Sequence, residues 1–189
     1  ENPYWQLQLD LIDVEVGAQV ITGENVIKAG DKDTVRTICR SASTREFDVF
    51  LGVQADEGRA EVWKLGPDAC PEAELVYRAQ VGIPAITGPL YPSLSKMLAA
   101  SGLGGGAPSG MGFLACFEAF IVHRWIAMGV NELDSVAVVS NDTWTEPLPI
   151  ALLRKKVGAQ FARLYNLGVA HTNSQVGGAV LIKPAKSDE

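Results

Sequence analysis

Apolar and polar side chains alternate near the start of the chain with the two-residue period of a strand buried on one face. Leucines there alternate with glutamines and an aspartate, which predicts a strand over Leu7–Val16. Two later runs, Phe47–Val53 and Ser135–Ser140, are almost continuously apolar, as strands buried on both faces are. Gly177–Lys183 predicts a last strand.

Helical signals lie between these strands. Asp31 or Asp33 is placed to cap a helix that runs through Arg40. Residues 92–101 begin with proline and are followed by glycine, which is typical of a helix start and end. Pro149–Leu164 carries its apolar side chains at helical spacing on one face, so we expect a third helix there.

Two short segments complete the pattern. Glu61–Leu65 and Leu75–Tyr77 predict the strands of a surface hairpin around residues 66–68. Strands that alternate with helices indicate an α/β layer architecture. The sequence contains no internal repeat, low-complexity tract or linker, so we expect one domain over residues 1–189.

The most informative segment joins an apolar strand to an apolar helix at Cys116. Phe113–Ala115 predicts the end of the strand, and Cys116 falls on the first turn of a long helix. The N-terminus of a helix has spare N–H donors and a partial positive charge, both of which stabilise a thiolate. Cys116 is therefore the candidate nucleophile. The alternative is a small buried apolar side chain, because free cysteine is often found in that role.

Few polar positions interrupt the helix after Cys116; they are Glu118, His123 and Arg124. A helix that is apolar nearly all round is buried on most sides. We therefore expect Cys116 at the inner end of a central buried helix, where it faces a pocket. His123 lies about two helical turns further on, roughly 10 Å by rise, which is too far for a base acting on Cys116.

Two other features are weaker candidates. His171, near Asn173, supplies the residue types of a Cys–His–Asn set, but the sequence does not place it beside Cys116. The glycine-rich stretch 102–112 admits a phosphate-binding loop, because glycine lets backbone N–H groups approach an anion. It lacks the Lys–Ser/Thr pair of such loops, and Pro108 removes a donor, so a plain loop is favoured.

Composition narrows the function classes. The formal net charge is −6 and the pI is about 5.0, which argues against nucleic acid or an anionic membrane surface as a partner. No apolar run is long enough to span a bilayer, and we expect no secretory signal. Three cysteines without close spacing argue against a disulfide framework or a zinc site and indicate the cytoplasm. Two histidines make a metal site improbable.

Six segments follow one another in an order that is met in a known family. They are Pro92–Leu98, Leu103–Gly104, Gly112–Phe120, Met128–Gly129, Ser135–Asp142 and Val176–Ile182. This order resembles the N-terminal half of a thiolase-fold condensing enzyme, nearest to the β-ketoacyl-ACP synthase III type. In that family a strand leads into the acyl-accepting cysteine at the start of a buried helix, which is the position of Cys116.

The resemblance implies a fold and a function. The fold would be a thiolase-like half: a mixed sheet flanked by helices, with one central buried helix, completed by a second chain or half. The function would be a subunit or processed half of a ketosynthase III-like acyltransferase in fatty acid or polyketide biosynthesis. Cys116 would take an acyl group from a CoA or acyl-carrier-protein thioester and transfer it by condensation or to another nucleophile. No tightly bound cofactor or metal is implied.

The same resemblance implies a partner. The family's His and Asn lie in the half that this chain lacks, and neither His123 nor His171 matches their motif position. We therefore expect a hetero-oligomer in which a complementary chain supplies His and Asn, with an acyl carrier protein as a possible further partner. The alternative is a non-catalytic ketosynthase-like subunit that shapes or stabilises an active chain.

Overall fold

The computed structural model of the chain describes most of the residues between 16 and 182. The predicted helix over residues 92–101 lies outside the described residues, as do nearly all of the predicted strand over Leu7–Val16 and of the glycine-rich stretch. The described ranges are 16–24, 26–55, 59–70, 72–79, 110–131, 133–141, 149–173 and 180–182.

The larger of two sheets is mixed and has its strands in the order β5-β4-β3-β1-β9, with β2 also paired to β3. β1 and β2 run parallel to β3, whereas β9 and the β4–β5 hairpin run antiparallel to their neighbours. The strands are β1 (Gln19–Ile21), β2 (Ile27–Lys28), β3 (Asp48–Gln54), β4 (Ala60–Leu65), β5 (Glu74–Arg78) and β9 (Val180–Ile182).

The smaller sheet contains three parallel strands, β6 (Met111–Ala115), β7 (Ser135–Ser140) and β8 (Gly168–Asn173). Parallel neighbours need crossover connections, and two helices provide them. α2 (Val122–Val130) lies between β6 and β7, and α3 (Pro149–Tyr165) lies between β7 and β8. In the larger sheet, α1 (Lys32–Arg45) connects β2 to β3.

The two sheets pack face to face, and helices cover their outer faces. Phe50 from β3, Phe113 from β6 and Val139 from β7 belong to one buried cluster between the sheets. The alternate residues of β3 pack against α1 in a second cluster. Those of β6 and β7 pack with Trp125 of α2 and Phe161 of α3 in a third. The layers are therefore helix, sheet, sheet, helices, which explains why the central strands are apolar on both faces.

Most predicted elements that fall on described residues are confirmed. α1 has Asp31 as its N-cap, with the Oδ1 atom accepting from the Thr34 N–H at 3.2 Å. The hydrogen bonds from Thr34 lower the pKa of Asp31. α1 runs five residues beyond the predicted end at Arg40, since Ser41–Ser43 continue the helix. The hairpin, the strand at β7 and the helix at α3 lie where the pattern placed them, and β8 was missed.

The predicted long buried helix after Cys116 is wrong. Cys116–Phe120 forms a 3₁₀ helix, the backbone of Ile121 is extended, and α2 begins only at Val122. Val122 and Val130 on α2 are 55% and 71% exposed, so its apolar residues are not all buried. The expected thiolase-like half is wrong as well. Within the described residues no helix lies between the sheets, because their apolar faces pack directly on each other.

The expected absence of a disulfide is also wrong. Cys39 of α1 is bonded to Cys70, which follows β4, with their Cα atoms 5.8 Å apart. Distant spacing in sequence did not exclude the bond, because the fold packs α1 and this segment against the same face of the sheet. Cysteine usage therefore no longer supports a reducing compartment. Among the described residues, none of the helices has the length and apolarity needed to traverse a bilayer.

Candidate functional site

Cys116 lies at a sharp turn between β6 and the 3₁₀ helix. Its φ angle is +39°, in the left-handed region that residues other than glycine rarely adopt. Such a conformation costs about 1–3 kcal/mol and persists only where the surroundings enforce it, most often at functional sites. Strand-to-helix turns of this kind present a nucleophile at the end of a sheet. Cys116 is the free cysteine of the chain and is 5% exposed.

A buried carboxylate holds the turn from within. The Ala115 N–H donates to Glu118 Oε2 at 3.4 Å, and Arg124 Nη2 lies 3.7 Å from the same oxygen. The Glu118 and Arg124 side chains are 0% and 1% exposed. The pair therefore ties the last residue of β6 to the first turn of α2, and Cys116 lies between them in the chain.

A second buried arginine approaches Cys116 from another element. Arg154, on α3, is 3% exposed, and its Nη2 lies 3.9 Å from the Cys116 Sγ. The guanidinium carbon lies 5.9 Å from the centre of the Phe120 ring, on the 3₁₀ helix. A permanent positive charge is thus placed next to the sulfur in a region shielded from solvent.

The C-terminal end of β1 in the larger sheet meets the C-terminal ends of β6 and β7 in the smaller sheet, at the edge where Cys116 lies. The Glu24 N–H, just beyond β1, donates to the Ser140 carbonyl oxygen at 3.1 Å. Ala115 pairs with Val139, so Cys116 and Ser140 are the next positions on adjacent parallel strands. Glu24, which is 8% exposed, therefore follows its strand at the same edge as Cys116. This edge carries the thiol and a buried carboxyl group.

The Thr172 hydroxyl joins the two sheets at this edge, and the hydroxyls of Ser140 and Thr22 join neighbouring segments within each sheet. Thr172 Oγ1 donates to the Thr22 carbonyl oxygen at 3.0 Å, and Ser140 Oγ donates to the Thr172 carbonyl oxygen at 2.8 Å. The Gly52 N–H donates to Thr22 Oγ1 at 2.9 Å. All of these groups are buried, so the bonds are shielded from water. They fix the position of the backbone from which the Glu24 side chain extends.

The histidines lie elsewhere. His171 is on β8, not in a loop, and packs against Gly158 of α3. Burial, and then the charges of Lys155 and Arg154, lower the pKa of His171 to about 4. His123 lies half-buried on α2. Asn173 ends β8.

Sequence reasoning singled out Cys116 as a candidate but not Glu24 or Arg154, which lie near it in the structure. The apolar strand before the cysteine marked the turn, whereas Glu24 and Arg154 come from distant segments that only the fold brings to it. A hint was present at Glu24, a carboxyl group placed directly after a short apolar run. Groups of three or more His, Cys, Asp or Glu side chains suited to a metal ion are not found among the described residues. The glycine-rich candidate lies almost wholly outside them.

No family model and no curated protein matches the sequence. Among solved structures, the chain matches Nit3 of Saccharomyces cerevisiae, a member of branch 10 of the nitrilase superfamily. The identity is 11% and the TM-score is 0.49, and the match covers 89% of this chain and 65% of Nit3. The chain thus spans less than two thirds of the length of that protein. At this identity and TM-score the likeness assigns no activity.

The expected family is nevertheless wrong. The matching solved structure belongs to the nitrilase superfamily and not to the thiolase-fold condensing enzymes. Within the described residues, the direct packing of the two sheets also contradicts a thiolase-like half with a helix between them. The ketosynthase III-like acyltransferase in fatty acid or polyketide biosynthesis, and the alternative of a ketosynthase-like partner subunit, fall with that family. The complementary chain that supplies His and Asn, and the acyl carrier protein, stay untested predictions.

Proposed function

We propose that this chain is a cysteine-dependent hydrolase of amides that acts through a thioester intermediate. The observation that carries the proposal is the meeting of Cys116 and Glu24 at one edge of the two sheets. Cys116 occupies an enforced turn, and a backbone hydrogen bond attaches Glu24 to the strand beside it. A thiol with a carboxyl group at hand is the minimal equipment for nucleophilic attack assisted by proton transfer.

The reaction has two stages. In the first, the Cys116 S–H bond breaks, its proton passes to the Glu24 carboxylate, and the sulfur attacks the amide carbonyl carbon. The C–N bond then breaks, and the amine leaves with the proton returned by Glu24. In the second stage, a water molecule gives a proton to Glu24 and attacks the thioester. The C–S bond then breaks, the proton on Glu24 goes back to the sulfur, and a carboxylic acid is released.

An amide is favoured as the substrate because the Glu24 carboxyl group can protonate the leaving nitrogen. An amine is a poor leaving group unless it is protonated as the C–N bond breaks. A group that has just accepted the thiol proton can return it to that nitrogen, whereas an activated ester needs no such help. The proposed reaction uses water and side chains of this chain, and it requires no tightly bound cofactor.

The experiment uses the full chain and a panel of acyl p-nitroanilides and acyl p-nitrophenyl esters with acyl groups of different length. We expect release of p-nitroaniline and an acyl adduct in the intact mass, both abolished in Cys116→Ala. Cys116→Ser is the matched variant, because it keeps a side chain of similar size but a weaker nucleophile. A folded wild-type protein that forms no Cys116-dependent adduct with either class would show that Cys116 is a buried apolar side chain.

Glu24→Gln separates the two roles of the carboxyl group. This variant keeps the size of the side chain and removes the proton carrier. We expect hydrolysis of the anilides to be lost by about 10²–10⁴-fold, because they need Glu24 both as base for the thiol and as acid for the leaving nitrogen. Acylation by p-nitrophenyl esters should fall less, because they need Glu24 only as base. Equal loss with both substrates would remove Glu24 from the role of proton donor to the leaving nitrogen.

A further inference from the structure

Arg154 is a charged residue near Cys116 that has no role in the mechanism proposed above. It comes from α3, a different element from the turn, and its Nη2 lies 3.9 Å from the sulfur. With 3% of its surface exposed, the guanidinium has little access to water. Contact with the Phe120 ring holds its plane beside the 3₁₀ helix.

A guanidinium remains charged when it is buried, and a negative group beside it lowers the cost of burying that charge. Sulfur as a thiolate supplies negative charge at the position where the guanidinium lies. In a site shielded from solvent, an attraction at this distance is several times stronger than in water. We propose that Arg154 holds Cys116 in the thiolate form and orients its sulfur at the turn. This role rests on the proposed use of Cys116 as a nucleophile.

The short helix that begins at Cys116 makes such a charge necessary. The sequence predicted a long helix whose N-terminus would stabilise the thiolate, but Cys116–Phe120 forms only a 3₁₀ helix of 5 residues. Few peptide dipoles are aligned in a helix of that length, so its N-terminus contributes little. The guanidinium of Arg154 on α3 supplies the stabilisation of the thiolate that the short 3₁₀ helix does not.

The other nearby cations are engaged differently. Arg124 lies against the Glu118 carboxylate, deep under the turn, at 3.7 Å. Lys155 and Lys156 follow Arg154 on α3 but are exposed to solvent. Among the described residues, Arg154 is therefore the cation that the fold places against the sulfur. Formation of the thiolate breaks the S–H bond, and the proton goes to the Glu24 carboxylate, from which the leaving nitrogen later takes it.

The experiment follows the alkylation of Cys116 by iodoacetamide as a function of pH, in the native full-length chain, by intact mass. Cys39 and Cys70 are joined in a disulfide, so Cys116 is the thiol that reacts. A positive charge at this distance moves such a midpoint by about one to three pH units. We therefore expect Arg154→Gln to shift the alkylation midpoint upward by at least one unit and to slow labelling below it about tenfold. Arg154→Lys should restore part of the shift.

Lys156→Met is the matched control, because it removes the same charge from an exposed position on the same helix and should leave the profile unchanged. Thiolate absorbance in the ultraviolet, measured as wild type minus Cys116→Ala, gives the same midpoint without a reagent that must enter the site. An unchanged midpoint in folded Arg154→Gln and Arg154→Lys would overturn the role of Arg154. So would a wild-type thiol that titrates like that of a free peptide.

The two proposals fail separately. Neither readout needs an amide substrate, so a shifted midpoint together with no hydrolysis of any anilide would uphold Arg154 and reject the hydrolase. Hydrolysis that depends on Cys116, together with unshifted midpoints, would uphold the hydrolase and reject Arg154.

Discussion

The backbone N–H of Glu24 donates to the carbonyl oxygen of Ser140 at 3.1 Å. This bond joins the C-terminal ends of two strands that belong to different sheets. Glu24 follows β1 of the larger sheet, while Ser140 ends β7 of the smaller one. The position of the carboxyl group relative to Cys116 therefore depends on how the sheets are joined, and not on the turn at Cys116 alone. Substitutions at Thr172 and Gly52 disturb that junction without altering Cys116 or Glu24.

Replacement of Thr172 by Val removes the hydroxyl that bonds the Thr22 carbonyl oxygen, while the shape of the side chain is kept. A buried carbonyl group loses a donor, so we expect the free energy of unfolding to fall by about 1–3 kcal/mol. Urea denaturation measures this change, and anilide hydrolysis should fall as well. Thr37→Val is the control, because the Thr37 hydroxyl bonds its own helix at an exposed position. Equal stability losses in the two variants would show that the Thr172 bond stabilises the fold no more than an exposed hydroxyl on a helix does.

Replacement of Gly52 by Ala tests the same junction from the larger sheet. A Cβ atom on Gly52 would collide with the carbonyl oxygen of Gly23, directly before Glu24. We expect a stability loss of about 1–3 kcal/mol, because backbone must move to make room. Displacement of a catalytic group by about 1 Å can lower activity about a hundredfold, so anilide turnover should fall further than stability alone explains.

Gly30→Ala is the matched control for Gly52→Ala, because no atom lies within 4 Å of a Cβ placed there. Its stability should stay within about 0.5 kcal/mol of the wild type. Retention of full anilide turnover in a folded Gly52→Ala protein would contradict a position of Glu24 set by the junction.

Local patterns predicted the strands that carry the site but not the groups that complete it. The apolar run before Cys116 and the run at β7 report burial on both faces, and burial is what periodicity records. Which strands become neighbours is decided by packing between distant segments, so Glu24 and Arg154 gave no local signal. β8 was missed because its inward residue is Thr172 and its outward one is His171, a polar alternation that resembles a loop.

The same limit explains the error in the helix after Cys116. An almost continuous apolar sequence was taken to mean burial on all sides. The chain instead breaks at Ile121 and leaves an apolar stripe of α2 on the surface, where Val122 and Val130 are exposed. Composition cannot distinguish a helix between two sheets from one on their outer face. That distinction decides between the thiolase-like half and the observed layers.

The disulfide between Cys39 and Cys70 should stabilise the fold without serving the site. It joins α1 to the segment after β4, on the outer face of the larger sheet, and closes a loop with a sequence separation of 31. In the chain-entropy model, a loop of that size corresponds to about 3–4 kcal/mol. We expect dithiothreitol to lower the melting temperature of the wild type but not that of the double variant Cys39→Ser/Cys70→Ser. Cys116-dependent acylation should survive in both. Iodoacetamide labelling of all cysteines before reduction would contradict the bond.

Stability should fall as the pH drops through the window set by His171. Burial, followed by the charges of Lys155 and Arg154, lowers the pKa of His171 from 6.5 to about 4. Between these values the unfolded chain binds a proton that the folded chain does not, so protonation favours unfolding. Above 6.5 the effect is absent, and below about 4 it stops growing. Urea denaturation across the window should show a shallower pH dependence in His171→Gln and His171→Asn than in the wild type. Identical slopes would contradict a buried neutral histidine.

The buried pair of Glu118 and Arg124 should be strongly coupled, because both side chains are almost fully enclosed and face each other at 3.7 Å. Arg124→Met leaves a buried carboxylate without its guanidinium, so we expect a loss of about 3–5 kcal/mol in the free energy of unfolding. Adding Glu118→Gln removes the stranded charge and keeps an acceptor for the Ala115 N–H. The double variant should therefore be more stable than Arg124→Met alone.

A double-mutant cycle measured by urea denaturation gives the coupling energy. The exposed pair Asp33–Arg36 is the control, for which the same cycle should give no measurable coupling. Additive losses at Glu118 and Arg124 would show that the turn at Cys116 is held by other contacts.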